Sequence, residues 1–132
     1  MPWIKDVVAG SDGAGEVVEV GGRVLEFKKG DRVATTFYQD HASGQLTPRA
    51  AATALGTLKD GAFREYAVVP QHGLVHVPKS LSWQEASTLG CAAVTAWNAL
   101  YGNRNVVAGD TILVQGTGGV SLFALQVSLI DP

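Results

Sequence analysis

Over the first eighty positions, apolar residues fall into short runs with partial alternation and with glycine or proline between them. Short runs of this kind, separated by such turns, predict a small, curled, barrel-like sheet. The four predicted strands are residues 16–20, 32–38, 63–69 and 73–77. Residues 39–57 are polar and alanine-rich without a clear period, which predicts a loop with at most a short helical turn.

The pattern becomes helical at Ser82. Ser82 and Glu85 form the sequence of a capping box, in which each side chain bonds the backbone N–H of the other. Gly90 costs a helix about 1 kcal/mol relative to alanine, so we expect a break there. Apolar positions then follow at helical spacing: Ala86, Leu89, Ala93, Trp97 and Leu100. The architectural boundary is predicted near Ser80, between a β domain at 1–80 and an α/β domain at 81–132.

A glycine-rich turn follows a predicted buried strand at 111–115. Gly116 would allow the tight turn, Gly118 would let a diphosphate approach the backbone, and a helix would run over 120–129. Three glycines in four residues, with Gly119 the third, favour phosphate approach over an ordinary strand-to-helix turn. In dinucleotide-binding folds an acidic residue about 20 positions later holds the ribose. That position lies beyond residue 132, so the choice between NAD and NADP is unreadable.

Composition narrows the class of protein. Ten Lys and Arg against 12 Asp and Glu give a net charge of −2, which offers no electrostatic reason to bind nucleic acid or an anionic membrane. An apolar content of 46% argues against wholesale disorder. The single cysteine, Cys91, excludes an internal disulfide and fits a reducing compartment, so a cytoplasmic protein is expected. Cys91 itself is predicted to be a small buried hydrophobe rather than a functional thiol.

Histidine and tyrosine side chains are the remaining candidates for chemistry. His72 and His76 are four residues apart, a zinc-binding spacing only on a helix, and the neighbouring prolines and glycine disfavour a helix there. They are interpreted as surface or strand-end residues. His41 is interpreted as solvated, with a role in a substrate cleft as the alternative. Tyr38 is interpreted as a packing residue, with proton donation as the alternative.

Several short motifs occur in an order and at separations that resemble the medium-chain dehydrogenase/reductase superfamily. That superfamily includes the zinc-type alcohol dehydrogenases and the zinc-free quinone oxidoreductases. The resemblance covers residues 10–126. Within the superfamily, the sequence is most similar to fungal members that have Gly-Ser-Asp-Gly-Ala-Gly in place of the histidine motif. The matching segments are 10–12 with Gly15, Gly21 and Val24, then 29–33, 61–66, 81–86, 95–97 and 116–120.

The resemblance implies a mixed α/β fold, a partial GroES-like β-barrel followed by the first strand-turn-helix of a Rossmann fold. It also implies an oxidoreductase that moves a hydride between NADP or NAD and a small carbonyl or activated alkene. No general acid is assigned. Asp12 would lie beside the substrate cleft, or would shape a turn. The implied cofactor-binding residues are Gly116, Gly118, Gly119 and Val120 at the diphosphate, with Thr95 near the nicotinamide.

Departures from the family pattern bear on whether the chain binds zinc and on whether it contains all the strands of the family fold. Ser11 stands where zinc-type members have a histidine ligand, and a hydroxyl is a poor zinc ligand, so no zinc is expected. By the resemblance, further strands would precede residue 1 and follow residue 132, so a chain truncated at both ends is predicted. The alternative function is a non-catalytic fragment or interaction module. Apolar side chains between 111 and 129 predict self-association or pairing with a homologous chain.

Overall fold

The computed structural model describes residues 6–130. Contacts divide the chain into two compact units, Met1–Gly90 and Cys91–Pro132. The first unit contains a 3-10 helix at Gln71–Gly73, and the second contains most of a π-helical segment at Leu89–Ala93. The predicted mixed α/β class is confirmed. The remaining elements are β1 (Ala14–Glu16), β2 (Arg32–Thr35), α1 (Pro48–Ala51), β3 (Leu74–His76), α2 (Trp83–Ser87), α3 (Val94–Tyr101) and α4 (Gly119–Ile130).

The sheet of the first unit has three antiparallel strands in the order β1-β2-β3. Val33 of the central strand lies opposite Gly15 on one side and His76 on the other. The predicted strands at 32–38 and 73–77 are therefore confirmed in shorter form. One cluster of buried side chains consists of Ala34, Val77 and Ala86, with Ala14 and Leu81 packed against them.

The first predicted strand is misplaced. Residues 16–20 were expected to form it, whereas β1 is Ala14–Glu16. After Glu16 the two segments stay paired for one more residue, because Val17 donates to the Asp31 carbonyl at 2.9 Å and accepts from Gly30 N–H at 2.8 Å. Residues 18–20 belong to no strand, and Val18 is 53% exposed. The predicted strand therefore overlaps β1 only at Glu16.

The prediction of a strand at 63–69 is wrong. Phe63 is 76% exposed and Val68 is 99% exposed. A strand needs a neighbour for its backbone groups. Within the part of the chain that the structure describes, no N–H from residue 65 to residue 69 has a backbone acceptor. The β-forming composition of this segment is therefore not sufficient to make it a strand.

The predicted strand at 111–115 is also wrong, for the same reason. Residues 111–115 are extended chain outside any sheet of the described residues, and Leu113 is 82% exposed. The helix predicted at 120–129 is confirmed as α4, and it packs against α3 within the second unit.

Local signals at the start of α2 behave as predicted. Ser82 Oγ accepts from Glu85 N–H at 3.2 Å, and Glu85 Oε2 accepts from Ser82 N–H at 2.8 Å. The break expected at Gly90 is confirmed as the π-helical segment. A Cβ at Gly90 would lie 2.7 Å from the Thr35 carbonyl oxygen, so glycine allows the close approach. Cys91, the next residue, is exposed, so its predicted burial is wrong.

A group of glycines in the first unit brings three backbone segments into contact. Gly61 N–H donates to the Val8 carbonyl at 2.7 Å, and Ala62 N–H donates to the Gly10 carbonyl at 2.8 Å. A Cβ at Gly56 would lie 2.9 Å from the Gly10 carbonyl carbon. This packing fixes the position of the Gly10 segment.

Candidate functional site

The turn before α4 is the most distinctive backbone feature of the second unit. Gly116 has φ +85°, a left-handed conformation that glycine adopts without strain. Ser121 Oγ donates to the Gln115 carbonyl at 2.8 Å and ties the first turn of the helix to the preceding chain. The sequence assigned the tight turn to Gly116, and the structure has it there.

Gly118 and Gly119 are glycines for different reasons. A Cβ at Gly118 would meet nothing within 4 Å, whereas a Cβ at Gly119 would lie 3.2 Å from the Ala92 Cβ. The N–H groups of the first helical turn have no intrahelical acceptors, so they can bind an anion. The open space at Gly118 leaves room for a ligand next to these donors. A diphosphate at this turn stays a prediction from the sequence.

The other two predicted cofactor residues lie in the same unit as this turn. Val120 is the second residue of α4 and is 41% exposed. Thr95 is the second residue of α3 and is exposed. Both side chains are open to solvent.

The first unit contains an open cleft of about 430 Å³. Its lining residues come from three separate segments: Gly10, Ser11, Asp12, Phe63 and Ser87. The sequence predicted that Asp12 lies beside a cleft or shapes a turn, and in the structure Asp12 lines this cleft. Phe63 and Ser87 were missed as site residues, because no local motif connects positions that only the fold brings together.

Hydrogen bonds fix the polar side chains of this cleft. The Ser11 hydroxyl donates to Asp12 Oδ2. The other carboxylate oxygen, Asp12 Oδ1, is buried and has no hydrogen-bond partner among residues 6–130. The Ser87 hydroxyl donates to the Gln84 carbonyl at 2.8 Å.

The histidine candidates lie away from the residues that line this cleft. His72 Nε2 lies 3.0 Å from Asp40 Oδ1, and this hydrogen bond holds the pKa of the Asp40 carboxyl below its usual value. His76 Nε2 lies 3.3 Å from the Glu26 carbonyl oxygen at the end of β3. The ring centroids of Tyr38 and His41 are 6.4 Å apart, edge to face. No three potential metal-ligating His, Cys, Asp or Glu residues cluster within the described range 6–130.

Comparison with protein families decides the classification. Residues 1–79 match the alcohol dehydrogenase GroES-like domain. The chain belongs to this family. The resemblance to the medium-chain dehydrogenase/reductase superfamily is thereby confirmed, as is the partial GroES-like character of the first unit.

Individual relatives are alcohol dehydrogenase-like proteins and quinone oxidoreductases. A zinc-type alcohol dehydrogenase-like protein of Schizosaccharomyces pombe is 51% identical over 131 residues, which are 98% of this chain and 38% of that protein. A quinone oxidoreductase of Homo sapiens is 32% identical over 120 residues, 90% of this chain and 30% of that protein. The crystal structure of an NAD-dependent alcohol dehydrogenase superposes with a TM-score of 0.80 at 31% identity, over 97% of this chain and 39% of that chain.

The chain thus spans less than two-fifths of the length of these relatives. A search of the described residues for an apolar helix long enough to cross a membrane finds none.

Proposed function

We propose that this GroES-like family member is an oxidoreductase that moves a hydride between NAD(P)(H) and a small carbonyl or activated alkene. The observation that carries the proposal is the glycine turn, where the open space at Gly118 lies beside the first turn of α4, whose N–H groups have no acceptors within the helix. The nicotinamide, when bound, supplies the hydride or accepts it. The names of the alcohol dehydrogenase and quinone oxidoreductase relatives support this class of reaction.

The proposed cofactor contacts keep the roles expected from sequence. Gly116 shapes the turn, and Gly118, Gly119 and Val120 present backbone to the diphosphate, while Thr95 lies toward the nicotinamide. The cofactor is NADP or NAD. We further propose that residues 1–80 are the GroES-like substrate domain and 81–132 the first part of a Rossmann domain, in a cytoplasmic protein. The proposed partner is a small-molecule substrate rather than a nucleic acid or a membrane.

Titration of the isotope-labelled 132-residue chain with NADH and with NADPH tests this proposal. We expect millimolar or weaker binding, because the proposed contacts among the described residues are only the diphosphate turn and Thr95. Amide shift changes should be confined to 116–120 and Thr95. Gly118→Val should abolish them without unfolding, since a side chain at Gly118 meets open space.

Gly22→Val is the matched control, because a Cβ at Gly22 also meets nothing within 4 Å and lies in the other unit. It should leave the nucleotide shifts unchanged. Shift changes that survive Gly118→Val, or that appear away from the turn and Thr95, would count against the site. A micromolar constant would show that further contacts are supplied, for instance by a second chain.

We also propose that the chain holds no stoichiometric zinc. Ser11 occupies the position of the histidine ligand of zinc-type members, and its hydroxyl is already donated to Asp12. One zinc per chain in elemental analysis of dialysed protein would contradict this.

A non-catalytic interaction module is the second candidate function. It is favoured by the apolar surface of the second unit, where Leu113 is 82% exposed and Leu129 is 74% exposed. Such a surface promotes self-association or pairing with a homologous chain. Specific binding of a homologous full-length enzyme, together with the absence of any nucleotide-dependent shifts, would favour this alternative.

A further inference from the structure

Residues 111–115 have the exposure pattern of a strand but no strand beside them. Thr111, Leu113 and Gln115 are exposed, whereas Ile112 and Val114 between them are half-buried. This alternation is that of a strand with one covered face. Within the described range, no N–H or carbonyl of these five residues takes part in a backbone hydrogen bond. The segment therefore has donors and acceptors available for another strand.

No charged side chain protects this segment from pairing. Natural sheet edges often carry charged residues that oppose pairing with another chain. Residues 111–130 include no Asp, Glu, Lys, Arg or His, whereas the other unpaired segment, 63–69, carries Arg64 and Glu65. A neutral segment has nothing to attract a charged partner, and two copies of it do not repel each other. These features favour a second copy of 111–115 as its partner.

Two copies of this segment match each other in one antiparallel register. A two-fold axis pairs residues that lie on the same face, so it passes through a pair formed by one residue and its own copy. With the axis at Leu113, leucine faces leucine, Ile112 faces Val114, and Thr111 faces Gln115. Apolar residues then face apolar ones, and polar residues face polar ones. An axis at Ile112 or at Val114 would instead place Leu113 opposite Thr111 or Gln115.

We propose that residues 111–115 form a homodimer interface, in which two copies pair as antiparallel strands about a two-fold axis at Leu113. The Leu113 side chain is 82% exposed, and pairing would remove apolar surface of both copies from water. The inference goes beyond the proposed oxidoreductase function and does not use the nucleotide turn. For the second candidate function, it names the partner as another copy of this chain rather than a full-length enzyme.

Single cysteines test the register, in a Cys91→Ser chain that has no other thiol. Under mild oxidation with oxidised glutathione, Leu113→Cys should give a covalent dimer, because residues facing each other across antiparallel strands have Cα atoms about 4.5–5.5 Å apart. Gln115→Cys is the matched control. Its two copies would be about 14 Å apart in this register, beyond the reach of a disulfide. A mixture of Thr111→Cys and Gln115→Cys chains should give the mixed dimer.

The absence of a Leu113→Cys dimer would overturn the inference. Equal cross-linking of Gln115→Cys with itself would also overturn it, because parallel in-register strands or unspecific aggregates would give that result.

Sedimentation of the full chain gives an independent measure of dimer affinity. Leu113→Asp places two carboxylates opposite each other at the axis, and we expect it to weaken the dimer more than about tenfold. Leu25→Asp makes the same change at a leucine that is 91% exposed in the other unit, and it should alter the affinity by less than about twofold. Equal effects of the two variants would contradict the proposed interface. Neither assay contains a nucleotide, so both results are independent of whether the chain binds NAD(P).

Discussion

Replacement of Gly61 by alanine is the sharpest test of how the first unit is packed. A Cβ at Gly61 would lie 2.1 Å from the Gly10 carbonyl oxygen and 2.6 Å from the Ala9 carbonyl oxygen. Both neighbours are backbone atoms, so no side-chain rotation relieves the overlap. The Gly61 φ angle is not positive, and the cost of the substitution is therefore steric rather than conformational.

The magnitude follows from what must move. Forcing an extra methyl group into packed structure costs about 1–3 kcal/mol. Displacing the Gly10 segment also strains the hydrogen bonds from Gly61 to Val8 and from Ala62 to Gly10, each worth about 1 kcal/mol. We expect Gly61→Ala to lower the free energy of unfolding by about 3 kcal/mol, which corresponds to a Tm lower by about 10–20 °C.

Thermal unfolding followed by circular dichroism measures this, with Gly21→Ala as the matched control. A Cβ at Gly21 would meet nothing within 4 Å, so the control should change the free energy by less than about 0.5 kcal/mol. Amide exchange at Ala62 would report the local effect. A Gly61→Ala chain with the Tm of the Gly21→Ala chain would refute the steric argument.

Three further predictions concern other parts of the chain. Arg32→Lys should cost about 1–2 kcal/mol in chemical denaturation, because lysine cannot reproduce the guanidinium stack, 4.0 Å from the Trp83 ring centroid. His72→Ala should raise the pKa of Asp40 toward its ordinary value, which a carbon-13 titration measures. In the native chain the pair stabilises the fold at pH values above the ordinary pKa of Asp40, and this contribution is lost as the pH falls through the lowered pKa. In a monomer, residues 111–129 should exchange their amides quickly, and sedimentation should show self-association as concentration rises. Strong protection in a concentrated monomer would contradict the last of these.

Sequence motifs whose partners all lie within a few residues of one another predicted the local structure correctly. The Ser82–Glu85 box and the Gly116 turn are local, and both occur as expected. The segments 63–69 and 111–115 have strand composition, but strand formation depends on a partner that local composition does not specify. Among the described residues, neither segment belongs to a strand.

The residues that line the cleft were likewise only partly predictable from the sequence. Asp12 was recognisable because it belongs to a motif, whereas Ser87 carries no motif of its own. Its position at the cleft depends on how α2 packs on the sheet. The relation between Ser11 and Asp12 is a matter of which atom donates the proton, and a sequence does not specify that.

Adjacent glycines at the head of α4 would be lost at different rates under genetic drift. Gly119 is held by packing against Ala92, so selection for folding alone retains it. A Cβ at Gly118 would meet nothing within 4 Å, so packing does not require glycine there, whereas a ligand that needs the empty space would. If the proposed nucleotide site exists, a side chain at position 118 beside an intact Gly119 would therefore mark, among descendants of this gene, the loss of that site in a protein that still folds.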